Sequence, residues 1–250
     1  MARPPKEEFP PASPHLTPDY WRNICGNSSP SARDRFLYLT IDEFGRRGPG
    51  GFKHTEVSQS LGYTSAMINH YFGSRDGLIA EGSYTAYLIY VEDLRKAVAD
   101  APRDPRARLR AWMMAQIQFG QKWPGWAVAH NYPRVALGNP LDYSDRFREL
   151  MTVKFELNLG RLAQLILDVQ GEKVSEIEIT EETFDRATYL ANSVLVDLTA
   201  SVAMSTLGSA VWFAGKHEPS QATPEAVALS THVVSNHIEN VIDFVFMKRV

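Results

Sequence analysis

Two short helical patterns separated by a glycine-containing turn constrain the fold of this chain more than any other feature. The patterns cover His54 to Leu61 and Ser65 to Phe72, and Gly62-Tyr63-Thr64 lies between them. Glycine permits the positive φ that ends a helix, and Thr64 is a good N-cap for the helix that follows. Two short helices joined by a tight turn and packed on a preceding helix are typical of a helix-turn-helix.

A longer helix is predicted upstream of this pair. Apolar positions repeat at i, i+1, i+4, i+5 and i+8 from Phe36 to Phe44, which is the rhythm of one helix face. The glycines from Gly45 to Gly48 should stop that helix. The segment Gly48-Pro49-Gly50-Gly51 is then expected to form a flexible loop, because glycine and proline both break helices.

The rest of the chain keeps a helical pattern. Ser74 is expected to cap a long helix that ends near Asp100. The stretch Val174 to Ile179 alternates apolar and polar residues, but it is short and acidic, so a linker loop is favoured over a strand. The carboxylates after Thr180 indicate a helix start. Further helices are predicted at about 105–121, 124–137, 142–170, 181–214 and 224–247. The predicted fold class is therefore all-α.

Composition bounds the class of protein. A length of 250 residues allows one large or two modest domains, and 44% hydrophobic with 22% charged residues is typical of a globular chain. The single cysteine, Cys25, excludes an internal disulfide. Residues 1–29 are rich in proline and lack an apolar signal segment, so we expect a disordered tail and a cytoplasmic protein. The uncharged run Leu198 to Gly215 carries five hydroxyl groups, which favours a buried helix over a membrane span.

Four segments between Phe36 and Leu78 carry a more specific pattern. They are Phe36-Leu37 with Phe44, Val57-Ser58-Gln59-Ser60-Leu61-Gly62-Tyr63-Thr64, Ile68-Asn69-His70-Tyr71-Phe72 and Gly73-Ser74-Arg75-Asp76-Gly77-Leu78. Together they resemble the DNA-binding domain of the tetracycline-repressor (TetR) family of bacterial transcription regulators. The resemblance implies a three-helix DNA-binding domain over 30–78. It also implies a helical ligand-binding and dimerisation domain over 79–250.

Roles at the DNA follow from the placement of residues on these helices. Four residues at the start of the second helix would face base edges in the major groove: Ser65, Ala66, Met67 and Asn69. Asparagine can form two hydrogen bonds with adenine, and methionine can contact a thymine methyl group. Ile68 and Phe72 should turn inward. The resemblance implies phosphate contacts for His70 and Tyr71.

Three further residues are expected at the DNA backbone. His54 and Thr55 lie in the first turn of the preceding helix, where backbone N–H groups favour an anion. Arg75 begins the long helix and would add a cation against a phosphate. The alternatives are that Tyr71 is a plain core aromatic and that His54 is a solvated surface residue.

Large apolar residues with few charges between them follow the predicted DNA-binding domain. They could line a pocket for a small apolar ligand, with polar anchors such as Gln116, His130 or Asn158. The alternative is solid core, because methionine and aromatic residues at helical spacing more often pack the interior. The candidate ligand-binding residues are Trp112, Met113, Gln116, Phe119, Trp123, Trp126, His130, Phe147, Met151 and Phe155.

Small residues recur one turn apart at Ser201, Ser205 and Ser209. Small side chains let helix axes approach closely, so this face could pair with the helix 224–247 in the four-helix bundle of a homodimer. Packing within one subunit would demand the same composition. A dimer would place two reading heads on half-sites separated by about 34–36 Å or multiples of it.

An enzyme and a protein-binding adaptor are the competing interpretations. His232 and His237 are five residues apart and fall on different helix faces, and no phosphate loop, nucleophile elbow or metal motif is present. No cofactor is therefore expected. A helical adaptor would leave five residues without a shared purpose: Thr55, Ser65, Asn69, Tyr71 and Arg75. The predicted function is a ligand-responsive repressor that a small apolar effector releases from double-stranded operator DNA.

Net charge at first argues against a polyanionic partner, because the formal value is −3. The acidity is concentrated after residue 78. Between Phe44 and Arg75 the chain carries four cations and a single carboxylate, that of Glu56, which gives a net charge of +3. The predicted DNA-binding segment is thus basic, although the chain is acidic.

Overall fold

The structure is a computed structural model of the chain, and it describes residues 31–122, 127, 145–176, 178–180, 182–194, 196 and 224–247. Across these ranges the secondary structure is helical and no strand occurs, which confirms the all-α prediction. None of the described helices carries an apolar stretch long enough to cross a membrane. The helices are α1 (Ala32–Gly51), α2 (His54–Ser60), α3 (Ala66–Phe72), α4 (Arg75–Asp100), α5 (Pro105–Lys122), α6 (Asp145–Gly171), α7 (Arg186–Ala191) and α8 (Pro224–Met247).

The chain divides into two compact units. The first unit falls within Met1–Ile89 and Lys122–Glu149, and the second falls within Tyr90–Gln121 and Leu150–Val250. The predicted tail over 1–29 and the predicted helix over 124–137, apart from Ala127, lie outside the described residues.

The first unit is built on α1. Ser31 caps this helix, because its hydroxyl accepts a hydrogen bond from the Asp34 backbone N–H while the Asp34 carboxylate accepts one from the Ser31 N–H, at 3.2 and 3.0 Å. This reciprocal capping box satisfies two N–H groups that would otherwise lack a partner. Apolar residues from α1 to α4 then form a common core: Phe36, Leu37, Ile41, Phe52, Val57, Leu61, Ile68, Leu78 and Ile79.

The predicted loop at Gly48-Pro49-Gly50-Gly51 is wrong, since α1 continues through these residues to Gly51. Tertiary contacts explain why helical backbone persists in a sequence of low helix propensity. Arg47 forms ion pairs with Glu43 of the same helix and with Glu56 of α2. Phe52, which caps the helix, is only 4% exposed. The ion pairs of Arg47 before this segment and the burial of Phe52 after it therefore hold the last turn of α1 in place.

The second unit contains α5, α6, α7, α8 and the second half of α4. Asp104 caps α5 by accepting a hydrogen bond from the Ala107 N–H at 2.7 Å. Arg106 and Arg110 of α5 pair with Asp243 and Glu239 of α8, so charged side chains join these two helices. The apolar side chains of this core include Leu94, Leu109, Trp112, Met113, Ile117, Phe119, Leu162, Ile166, Val169, Ile238, Ile242 and Val245.

Three of the predicted helices in this unit are confirmed within a few residues, those at 105–121, 142–170 and 224–247. The loop predicted over 174–179 is also confirmed in its described residues. The predicted helix start at 181 is wrong, because α7 begins at Arg186.

Side-chain hydrogen bonds explain the late start of α7. The Thr183 hydroxyl accepts from the Thr180 N–H at 2.8 Å and donates to the Glu178 carbonyl at 2.6 Å. Hydroxyl side chains that bond nearby backbone groups in this way compete with helix formation. Asp185 then supplies a cap, since its carboxylate accepts a hydrogen bond from the Ala187 N–H at 3.0 Å.

Candidate nucleic-acid interface

The turn between α2 and α3 is a Schellman motif. The Tyr63 N–H donates to the Ser58 carbonyl at 2.9 Å, and the Gly62 N–H donates to the Gln59 carbonyl at 3.0 Å. Gly62 has a φ of 72°, a conformation that side chains disfavour. The predicted role of this glycine is confirmed, and the two short helices form a helix-turn-helix.

The predicted N-cap of the second helix is wrong by one residue. Ser65, not Thr64, is the N-cap of α3, and its φ and ψ of −60° and −20° already lie in the helical region. Helical backbone bonding begins at once, because the Met67 N–H donates to the Thr64 carbonyl at 3.0 Å. The Ser65 side chain makes no capping bond, so its exposed hydroxyl remains available for a partner outside the chain.

Four exposed residues form the outer surface of this helix, and we call them the α3 face: Ser65, Ala66, Asn69 and His70. Met67 beside them is half-buried. On the opposite side, Ile68 is 1% exposed and belongs to the core. The structure therefore brings together most of the residues predicted to read base edges, on a helix held from beneath by an apolar side chain.

An aromatic cluster supports the α3 face. The buried ring of Phe36 in α1 lies 5.7 Å from the Tyr63 ring, 6.2 Å from the Tyr71 ring and 6.3 Å from the Phe72 ring, between centroids. The His70 ring packs edge-on against Tyr71 at 5.0 Å. Tyr71 is half-buried, so its ring belongs to the core while part of the residue remains accessible. The cluster ties α3 to α1.

The junction of α3 and α4 requires glycine at position 77. A Cβ on Gly77 would collide with the backbone carbonyl oxygen of Phe72. Ser74 caps α4 as predicted, because its hydroxyl accepts a hydrogen bond from the Gly77 N–H at 2.9 Å. The close approach of this position to the Phe72 carbonyl explains why glycine stands there in the Gly73-to-Leu78 segment.

Arg75, predicted to contact a phosphate, already has partners within the chain. Its guanidinium lies 5.7 Å from the centre of the Phe52 ring, and one of its nitrogens is 3.1 Å from the Asp76 carboxylate. Cation–π packing of this kind holds a guanidinium in a defined place without neutralising it. Arg75 remains partly accessible at the start of α4.

The cations near α2 are also paired. Glu56 accepts hydrogen bonds from Lys53 and Arg47, and these bonds hold the pKa of Glu56 below its usual value. The hydrogen bond that the Arg47 guanidinium donates to Glu56 raises the pKa of Arg47, and the charges of Glu43 and Glu56 act in the same direction. His54 is half-buried beside this cluster, whereas Thr55 is exposed.

Arg47 and Lys53 contribute to the basic charge of this segment but are not among the predicted site residues. The spacing of Lys53 and Glu56 on one helix turn could have suggested the ion pair between them. The pairing of Arg47 with Glu56 joins two helices, so it required the fold.

The predicted ligand-binding residues have varied surroundings. Four are buried in the second unit, namely Trp112, Met113, Gln116 and Phe119, and Phe155 is half-buried. The Gln116 side-chain oxygen accepts a hydrogen bond from the Tyr90 hydroxyl at 2.6 Å. Trp112, together with Asn158, lines a cavity. Trp123, Trp126 and His130, the side chains of Phe147 and Met151, and the predicted dimer face at Ser201, Ser205 and Ser209 lie outside the described residues.

Solved structures share this architecture. A structure described as a TetR-family transcription regulator from Shewanella sp. PV-4 aligns with a TM-score of 0.52 at 12% identity, covering 83% of this chain and 97% of that one. A transcriptional regulator from Pseudomonas aeruginosa PAO1 aligns with a TM-score of 0.53 at 17% identity, covering 87% and 93%. The chain has the fold of TetR-family regulators, and the resemblance stated from its sequence is confirmed at that level.

A sequence relative points the same way. The chain is 33% identical over 84 residues to the HTH-type transcriptional regulator BetI of Paraburkholderia phymatum. The match spans 33% of this chain and 41% of the relative, which is less than half of the relative's length. No protein-family model matches the sequence. The proteins named here are described as regulators of transcription rather than as enzymes.

Proposed function

We propose that this chain is a homodimeric, cytoplasmic regulator of transcription that binds operator DNA through residues 30–78. The α3 face is the observation that carries the proposal. It presents small and hydrogen-bonding side chains on a short exposed helix, and Ile68 and the aromatic cluster hold that helix from beneath. A surface of this kind suits insertion into a major groove, where base edges offer donors, acceptors and methyl groups.

Each residue of the site has a proposed role. Ser65, Ala66, Met67 and Asn69 read base edges, and Asn69 is best suited to pair with adenine. His70 and Tyr71 contact phosphates next to them. His54, Thr55 and Arg75 contact the backbone from the flanking helices and so set the register of the protein on the duplex. Arg75 is suited to this role because Phe52 holds its guanidinium in place.

The remainder of the chain, residues 79–250, is proposed to bind an effector and to dimerise. An effector that favours a conformation unable to bind the operator would make the protein a repressor released by its ligand. Such coupling is reciprocal, because the ligand must bind the DNA complex more weakly by the same factor.

Selection of bound fragments from genomic DNA tests the proposal. The full-length protein should enrich particular fragments, and fluorescence anisotropy should then give an affinity that falls steeply with salt, because several phosphates are contacted. Asn69→Ala should weaken binding to an enriched fragment about tenfold, since a bidentate base contact contributes about 1–3 kcal/mol. Binding to unrelated DNA should change little.

Gln118→Ala is the matched control, because Gln118 is an exposed amide residue of α5 in the second unit and lies outside the helix proposed for the dimer. It should leave the affinity for the enriched fragment unchanged. The proposal is wrong if no fragment is enriched, or if Asn69→Ala binds the enriched fragment as tightly as the unmodified protein does.

A further inference from the structure

A cavity of about 170 Å³ lies within the second unit. Its walls come from the end of α4, from α5 and α6, and from the segment that follows α6. Leu94, Val98 and Leu165 contribute apolar surface to it. The volume is below the roughly 300–1,000 Å³ of pockets for drug-sized ligands, so the cavity suits a smaller molecule.

The carboxylate of Glu178, which lines this cavity, lies between two lining arginines of different helices. Its Oε1 is 3.7 Å from Nη1 of Arg95 in α4 and 3.7 Å from Nη2 of Arg161 in α6. These distances permit ion pairing, but they exceed the roughly 2.7–3.2 Å of an N–H···O hydrogen bond. The Glu178 side chain is also 55% exposed, and exposed ion pairs contribute little to stability. The two arginines therefore hold this carboxylate weakly.

The guanidinium of Arg95 keeps its position without Glu178. Its Nε and Nη2 donate hydrogen bonds to the two carboxylate oxygens of Glu92, each at 2.8 Å, which makes the pair bidentate. The third nitrogen, Nη1, is the one that faces Glu178. Arg161 also faces Glu178 through a terminal nitrogen, whereas its Nε is buried and takes no part in the site. Because one carboxylate already reaches both terminal nitrogens, another carboxylate in the same position can reach them too.

The charges around the cavity favour an anion when the Glu178 side chain turns outward. The lining then holds three arginines and two carboxylates: Arg95, Arg108, Arg161, Asp168 and Glu176. Glu92 and Arg103 pair with lining residues from outside the cavity and add one charge of each sign. One positive charge is in excess, which matches a ligand with one carboxylate.

The backbone of the segment after α6 is fixed, so only the side chain of Glu178 has to move. The Ser175 N–H donates to the Asp168 carboxylate at 2.9 Å, and the Ser175 carbonyl accepts from Arg108 at 3.2 Å. The Glu178 carbonyl accepts a hydrogen bond from the Thr183 hydroxyl at 2.6 Å. Exchange of one carboxylate for another therefore leaves the wall of the cavity in place.

We propose that this cavity binds a small carboxylate with a short hydrocarbon part, and that Glu178 occupies the position of the ligand carboxylate in the free protein. The ligand carboxylate pairs with Arg95 and Arg161 while Glu178 turns to water. The hydrocarbon part packs on the apolar wall, which Glu178 cannot cover. The identification of this molecule as the effector rests on the proposed function, whereas its binding to the free protein does not.

Benzoate is a suitable probe, because it joins one carboxylate to a small apolar ring. Calorimetry with the full-length protein should show saturable binding of benzoate. Benzamide has nearly the same shape but no charge, so the unmodified protein should bind it about tenfold more weakly, since hydrogen bonds to charged groups are the stronger ones.

Glu178→Gln separates this proposal from ordinary binding to a positive surface. The variant should bind benzoate about fivefold more tightly than the unmodified protein, because the two guanidinium groups lose their competing carboxylate. Glu176→Gln is the matched control, since Glu176 lines the same cavity but pairs with Arg103 instead. It should change the affinity for benzoate by less than about twofold. Arg95→Gln should weaken benzoate binding about tenfold.

The proposal is overturned if benzoate does not bind saturably, or if benzoate and benzamide bind the unmodified protein equally. It is also overturned if Glu178→Gln, which changes only an exposed side chain, binds benzoate no more tightly than Glu176→Gln does. All of these measurements are made without DNA. Failure of operator binding would therefore contradict the proposed function alone, and failure of benzoate binding would contradict this inference alone.

Discussion

The α3 face of the first unit and the cavity of the second unit hold polar side chains in opposite surroundings. Asn69 is exposed on a short helix, whereas Asn158 is 5% exposed and its side-chain oxygen lacks a partner among the described residues. An exposed amide exchanges water for a partner at little cost, but a buried amide oxygen without a partner costs stability. The same residue type is thus suited to binding a partner from solution in one unit and lowers stability in the other.

Gly77→Ala is expected to have the largest effect, and it tests the backbone contact that supports the α3 face. The added Cβ would collide with the Phe72 carbonyl oxygen, so the free energy of unfolding should fall by about 3 kcal/mol. Gly82→Ala on the same helix is the control, because its Cβ would meet Ile41 and Thr40 at ordinary distances of 3.7 and 3.8 Å. Urea denaturation should show Gly82→Ala to be as stable as the unmodified protein or more so.

Gly160→Ala makes the corresponding test in the second unit. Its Cβ would collide with the Phe184 ring, whereas it would meet Ile179 at an ordinary 3.5 Å. We expect a loss of about 2 kcal/mol in the free energy of unfolding, measured by urea denaturation. Gly171→Ala, whose Cβ would meet only Lys173 side-chain atoms at 3.5 Å or more, should be about as stable as the unmodified protein. Equal free energies of unfolding for the two variants would contradict the close packing of Phe184 on Gly160.

Glu56→Gln tests whether ion pairs within the chain limit DNA binding. Glu56 holds Lys53 and shares Arg47 with Glu43, so the substitution should free Lys53 and leave Arg47 with one carboxylate partner instead of two. Operator binding should then tighten about fivefold at 0.1 M salt. The control is Glu92→Gln, because Glu92 is paired in the same way with Arg95 and with a lysine, but in the second unit. Anisotropy titrations that gave the two variants the same affinity would show that the pairs near α2 do not matter for DNA.

Acidification should produce the smallest effect. The hydrogen bond from Arg110 holds the pKa of Glu239 below its usual value of about 4.3. The pair therefore stabilises the fold fully above that value, and the stabilisation is lost as pH falls through the lowered pKa. Exposed pairs contribute roughly 0–1 kcal/mol, so Glu239→Gln should slightly flatten the fall in stability between pH 6 and pH 3. Asn240→Ala should leave the pH dependence of thermal unfolding unchanged.

Much of the fold could be predicted from local signals. The helix-turn-helix, the cap at Ser74 and the boundaries of α5 and α8 follow from glycine, capping and periodic apolar residues, all of which act within a few positions. The prediction failed where local and distant interactions compete. Gly48 to Gly51 break helices in isolation, yet pairing of Arg47 with Glu56 and burial of Phe52 extend α1 across them.

The sequence by itself determined the helical class and the residues of the α3 face, because helical periodicity dictates which side chains share a surface. Only the tertiary structure decided which cations are paired and which polar atoms are buried without partners. Trp112 and Asn158 lie on different helices, and the desolvation of their polar atoms depends on everything packed around them. Pairing and burial are properties of the assembled core, so they carry no signature in the order of neighbouring residues.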